Sequence, residues 1–229
     1  MNNTLTIENF VDLSQVLHGD QFKKISPFSL VGKKLGVFVC ELLKNLGVED
    51  HPVIKGEVHP SSVIEGPVYI AEGAKVEPFA FIQGPCYIGP DAQIRHASYI
   101  RGNVYIGARA VVGHTTEVKG AIFFDDAKAG HFAYIGDSIL GRDTNLGAGT
   151  KLANLGLRRR EVRIKHPVDD SLVGTGHDKF GAIMSDESQT GCNVVLNPGS
   201  VLMQKTLVLG GTSFLGTLTK GHVGSITRV

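Results

Sequence analysis

Several side chains in this 229-residue sequence could do chemistry together. Arg101 and Lys119 each follow an aliphatic residue, Ile100 and Val118, and stand 18 positions apart. Two cations repeated in phase suit an anion such as a phosphate, since charge-assisted hydrogen bonds are the strong ones. His131 carries an imidazole that can accept a proton near neutral pH. Asn145 and Asn154 supply neutral amides, and Arg158, Arg159 and Arg160 form a basic run. Each also has an inert reading: cations splayed into water, a lone surface histidine, asparagines that stabilise turns, a solvated loop. The elements that position them decide between the two.

A six-residue period runs through Val58, Ile64, Ile70, Val76, Ile82, Ile88, Ile94, Ile100, Ile106, Val112 and Val118. Four positions after these stand short residues such as Ser62, Ala74, Ala80, Cys86, Ala92 and Ser98. A six-residue unit with one branched aliphatic and one small residue is a short strand plus a turn. Such strands stack in parallel at about 4.8 Å. The period returns at Met184, Thr190, Leu196, Leu202, Val208 and Phe214, where a frame starting at Ile183 also fits in part. Between the runs the step slips, with Ile135 to Leu140 only five apart. His131 lies in that slipped coil, where a side chain can be aimed outward. Residues 155–182 carry no hexad and read as an inserted loop.

Residues 1–57 differ. Leu30, Val31, Leu35, Phe38, Val39, Leu42 and Leu46 form one helical stripe, closed by Gly47 as a C-cap. This predicts an α-helical cap on the first coil, because repeat arrays must cover their exposed end strands. The β-helical domain then spans 58–229.

Composition excludes several classes. Glycine is abundant, 29 residues, with no tryptophan and 7% aromatics, which suits a β architecture rich in tight turns. A net charge of +1 gives no field to draw nucleic acid or a membrane surface. Cys40, Cys86 and Cys192 are odd in number and far apart, so neither a disulfide framework nor a zinc ribbon is expected. No apolar run approaches the ~18 residues of a membrane span, and no secretory signal opens the sequence. A cytoplasmic location is expected.

The repeat resembles that of the hexapeptide-repeat proteins. That resemblance implies a left-handed parallel β-helix with about 18 residues per triangular coil. Arg101 and Lys119 would then stack at roughly 5 Å on successive coils. Two like charges at that spacing repel by about 1–3 kcal/mol, a cost that a bound anion would reverse.

A narrower resemblance rests on Lys128-Ala-Gly-His131, Tyr134-Ile-Gly-Asp137, the run Asn145 to Thr150, and Asn154. These are similar to the acetyltransferase domain of the bifunctional bacterial enzyme that makes UDP-N-acetylglucosamine. The family's basic residues fall on Arg101 and Lys119, and a sugar-binding lysine falls by count on Arg160. Asn154-Leu-Gly-Leu157 departs from the family's Asn-Tyr-Asp-Gly. Thr175-Gly176, Lys179 to Ile183, Asp12-Leu-Ser14 and His18 look closer to a related branch, the sugar-1-phosphate nucleotidyltransferases with a C-terminal β-helix. No glycine-rich nucleotidyltransferase loop is present, so pyrophosphorylase activity is not expected.

The resemblance implies an N-acetyltransferase using acetyl-CoA and an amino-sugar 1-phosphate, first of all glucosamine 1-phosphate, in UDP-N-acetylglucosamine biosynthesis. It makes His131 the base and gives Asn154 an oxyanion or amine-positioning role. Arg101 and Lys119 would hold the phosphate, Tyr134 and Asn145 the sugar, and Ala148 and Cys192 would line the acetyl-CoA path. No metal is required, and a homotrimer is implied. The alternative is a non-catalytic β-helix, a scaffold or regulatory partner of a separate nucleotidyltransferase.

Overall fold

The computed structural model describes residues 5–225. Three parallel sheets wind into a β-helix of about ten turns, one strand per sheet in each complete coil. The first sheet runs from Val53–Ile54 to Thr217–Leu218, the second from Glu57–Val58 to His222–Val223, the third from Val63–Glu65 to Ser213–Phe214. The hexad residues point inward and stack on themselves. Ile64, Ile82, Ile100 and Val118 are paired in succession, and Ile82 and Ile100 are fully buried. Where two frames compete, Met184, Leu196, Leu202 and Val208 face inward, while Ile183 faces out.

The slip shortens two coils. Val111 pairs with Lys128 and Lys128 with Asn145, each 17 residues on instead of 18. Ile139 then pairs directly with Ile183, so after Lys151–Leu152 the chain leaves the solenoid and rejoins it at Ala182–Met184. That excursion holds an antiparallel hairpin, Arg163–Lys165 with Leu172–Gly174, closed by a bridge between Leu155 and Lys179.

The N-terminal segment does not stop at the first coil, where an end cap would sit. It lies along the flank of the first sheet. That sheet carries an outward ladder of Tyr69, Tyr87, Tyr105, Ile122, Ile139 and Ile183, paired in succession and all buried. So long an apolar face needs a cover. The helix Gly32–Asn45 supplies Leu35, Val39, Leu42 and Leu43, and the preceding turns supply Ile7, Phe10 and Phe22. The helix ends as its sequence requires, with Gly47 at φ +75° and Val48 N–H donating to Leu43 O at 3.0 Å. Buried carboxylates pin the segment: Asp186 accepts from Asp12 N–H at 2.8 Å, and Asp125 from Leu17 N–H at 3.1 Å.

Candidate functional site

The eight residues singled out by sequence fall into two groups on two outward faces. Arg101, Lys119, Tyr134 and Asn154 belong to the third sheet and its continuation. Side chains at 99, 101, 117 and 119 alternate outward around the inward Ile100 and Val118. Arg101 does not wait for an external anion. Its Nη1 donates to Glu117 Oε1 at 2.7 Å, and this bond raises the guanidinium pKa further. Lys119 donates to both oxygens of Asp137 at 3.1 Å. The repulsion anticipated between the two cations is thus offset by two carboxylates within the chain.

Asp137, 2% exposed, is the hub of this group. Asn154 Nδ2 donates to its Oδ2, and Tyr134 Oη donates to Asn154 Oδ1 at 3.3 Å. Burial raises the Tyr134 pKa, with Glu117 and Asp137 adding to the effect, so the phenol stays protonated. Behind Asp137 the N-terminal helix begins. Gly32 N–H donates to Gly120 O at 2.9 Å, and both glycines have positive φ. A Cβ at Gly120 would stand 2.8 Å from Gly32 Cα, so only glycine allows this approach.

The second group lines one groove. His131, Asn145, Ala148 and Cys192 surround a volume of about 380 Å³ together with Arg95 and Lys128. Its backbone is a column at the corner between the second and third sheets. Thr115 N–H donates to His96 O at 3.1 Å, Phe132 N–H to His114 O at 2.7 Å, and Gly149 N–H to His131 O at 3.1 Å. Asn193 N–H then donates to Ala148 O and Gly211 N–H to Cys192 O, both at 2.8 Å. Successive coils therefore set His96, His114, His131, Ala148 and Cys192 in one line. The His96 and His114 rings stack at 5.4 Å. Imidazoles occupy one half of the corner and small side chains the other, which leaves an open lane beside the exposed His131.

The groove lining contains none of Arg101, Lys119, Tyr134 or Asn154. A single chain does not bring the two groups together. Sequence reasoning missed Glu117 and Asp137, although Asp137 closes the quoted Tyr134–Asp137 motif. It also missed Arg95 and Lys128 as groove residues. Asn154 uses one N–H toward Asp137 and its oxygen toward Tyr134. Among the described residues no cluster of three His, Cys, Asp or Glu could hold a metal ion, and no helix is long and apolar enough to cross a membrane.

Known proteins have related sequences. The bifunctional protein GlmU of Methanococcus aeolicus is 36% identical over 175 residues, covering 76% of this chain and 39% of that protein. The bifunctional sugar-1-phosphate nucleotidylyltransferase/acetyltransferase of Sulfurisphaera tokodaii is 35% identical over 79 residues, covering 34% of this chain and 19% of that one. The chain thus spans less than half the length of either relative. Among solved structures, a UDP-N-acetylglucosamine acyltransferase of Francisella novicida overlaps 70% of this chain and 61% of its own, with 14% identity and a TM-score of 0.46. The GMPPB C-terminal domain family matches residues 82–209. That stretch is more than half of the chain and holds both side-chain groups and the corner column. The chain belongs to the GMPPB C-terminal domain family.

Proposed function

We propose that this chain is an N-acetyltransferase that moves acetyl from acetyl-CoA to an amino-sugar 1-phosphate, with glucosamine 1-phosphate as the first candidate. The observation that carries the reading is the corner column, where His131 sits at the foot of a lane floored by Ala148 and Cys192. Small residues there give the donor's pantetheine arm room to lie along successive coils with its thioester at the imidazole.

The chemistry follows from that placement. The substrate ammonium first gives one proton to solvent, and as the neutral amine attacks the thioester carbon His131 takes a second proton from its nitrogen. The tetrahedral intermediate collapses, the C–S bond breaks, and the leaving thiolate takes the proton back from His131. Asn145, exposed in the same groove, orients the sugar. Arg101, Lys119 and Tyr134 of a second chain complete the acceptor site in a homotrimer. The N-terminal segment covers the first sheet of each chain and leaves the second and third free to meet a neighbour. Asn154 holds Tyr134 and Asp137 in place through its oxygen and one N–H, which leaves its second N–H for an oxyanion. The product fits cytoplasmic UDP-N-acetylglucosamine supply.

A thiol-release assay over amino-sugar 1-phosphates tests the reading. His131→Ala should lower kcat by about 10²–10⁴-fold and leave acetyl-CoA affinity nearly unchanged. Wild-type turnover in that variant would reduce His131 to a surface side chain. A second reading has its own support: Arg101 and Lys119 are already neutralised, and Leu155 to Leu157 replace the family's polar residues. A non-catalytic scaffold or regulatory partner would show no thiol release and no acetyl-CoA binding by calorimetry.

A further inference from the structure

We infer that Arg95 and Lys128 form a phosphoryl-binding subsite at the imidazole end of the groove. The identity of the ligand rests on the acetyl-transfer reading; the subsite itself does not. The placement comes from register. Gln93 pairs with Val111, and Val111 with Lys128, so the three stack outward on consecutive coils of the second sheet. Arg95 stands two residues beyond Gln93, at the strand's corner end. Between the two cations the middle coil contributes only Val111, whose short side chain leaves a gap that a long one would fill.

Charge makes the gap selective. The groove lining contains two cations and no carboxylate. Arg95 is held by a neutral partner: Nε and Nη2 both donate to Gln93 Oε1, at 3.2 and 2.9 Å. That fork fixes the guanidinium plane and leaves its charge uncompensated. Lys128 has a carboxylate, Asp143, only at 4.0 Å, with both side chains about half exposed. The contrast with Arg101 and Lys119 is sharp, since each of those has a carboxylate bonded at 2.7 to 3.1 Å. His96 and His114 follow along the same corner. Glu77, one coil before Arg95 at the same register, has its carboxylate on the His96 backbone N–H at 2.8 Å and forms no ion pair with Arg95. A preoriented guanidinium and a mobile ammonium facing a gap are a pairing for tetrahedral phosphoryl oxygens. Two ligands of the proposed reaction carry that chemistry: the sugar 1-phosphate and the diphosphate of CoA.

The test is calorimetric titration of the full chain with inorganic pyrophosphate, independent of turnover. Arg95→Gln and Lys128→Met should each weaken binding at least about tenfold. Lys165→Gln, at an exposed cation of the hairpin paired with Asp170 at 2.9 Å and absent from the groove lining, should leave it unchanged. Neither groove position is buried, so both variants keep the fold. No pyrophosphate binding by wild type, or equal binding by both groove variants, overturns the subsite. The source is read from thiol release. A raised KM for sugar 1-phosphate alone assigns the acceptor's phosphate, and a raised KM for acetyl-CoA alone assigns the diphosphate. Absent thiol release with Arg95-dependent pyrophosphate binding would sink the acetyl-transfer reading and keep the subsite.

Discussion

Asp137→Asn isolates the hub that joins Lys119, Asn154 and Tyr134. The substitution keeps shape and removes one charge. Both facing groups, Lys119 Nζ and Asn154 Nδ2, are donors. One oxygen of the new amide can still serve them, but its NH2 is left pointing at donors with no acceptor. Lys119, 28% exposed at its side chain, can turn to water; Asn154, 9% exposed, cannot. One charge-assisted bond lost and one buried donor unsatisfied amount to about 2–3 kcal/mol. For a domain of this size that lowers the thermal midpoint by about 4–12 °C. The exchange variant Asp137→Asn with Asn154→Asp supplies the missing acceptor. The residue-137 amide then donates to residue 154, its oxygen accepts from Lys119, and Tyr134 still finds an oxygen. Differential scanning calorimetry should show more than half of the loss recovered. Activity separates the roles of Asn154: recovered stability with kcat still depressed would mean its amide acts in the reaction itself. An Asp137→Asn midpoint within about 1 °C of wild type would refute the hub.

Three further outcomes are expected. Ala148→Leu narrows the lane above His131 and should raise the KM for acetyl-CoA about tenfold or more in the thiol-release assay, with the thermal midpoint little changed. Phe124→Ala removes a fully buried ring that meets Phe22 at 5.0 Å beneath the N-terminal segment, so a loss of about 3–5 kcal/mol should appear as a midpoint lower by roughly 6–20 °C. His18 is held below its ordinary pKa of 6.5 by burial, so the unfolded chain takes up its proton first as pH falls. Its contribution to stability is present above about pH 6.5 and lost below it. Burial raises the Asp125 pKa, so proton uptake there acts in the opposite sense. A scan of thermal midpoints from pH 7.5 to 5.5 should therefore fall more steeply in wild type than in His18→Asn, and parallel curves would remove His18 from the acid response.

The solenoid was legible because its signal is redundant: one inward aliphatic per strand, repeated until no other period fits. The flank was legible only in a weaker signal. In the first sheet the inward residue is preceded by a second apolar one, as in Tyr69-Ile70, Tyr87-Ile88, Tyr105-Ile106 and Ile139-Leu140. Adjacent apolar residues in a strand mean both faces are covered. That pattern recurs every third hexad and points to a cover along the sheet rather than at its end.

Charge partners were harder to read for a physical reason. Counting by coils placed Lys119 over Arg101, but the slip sets Gly136, not Asp137, opposite Lys119. The carboxylate reaches the ammonium from the turn that follows, so a strict 18-residue count names the right partner but the wrong strand position. Spacing along one strand stack also says nothing about which of two faces around a corner a neighbour occupies. His131 ends a strand of the second sheet and Tyr134 begins one of the third, three residues later. Their side chains leave the corner on different faces, so sequence proximity does not make them one site. The homotrimer proposed above would close the corner by laying a second β-helix against it. Arg95, held only by the neutral Gln93, and Lys128, 4.0 Å from Asp143, then form one wall of the proposed assembly, and the closely paired Arg101 and Lys119 the other.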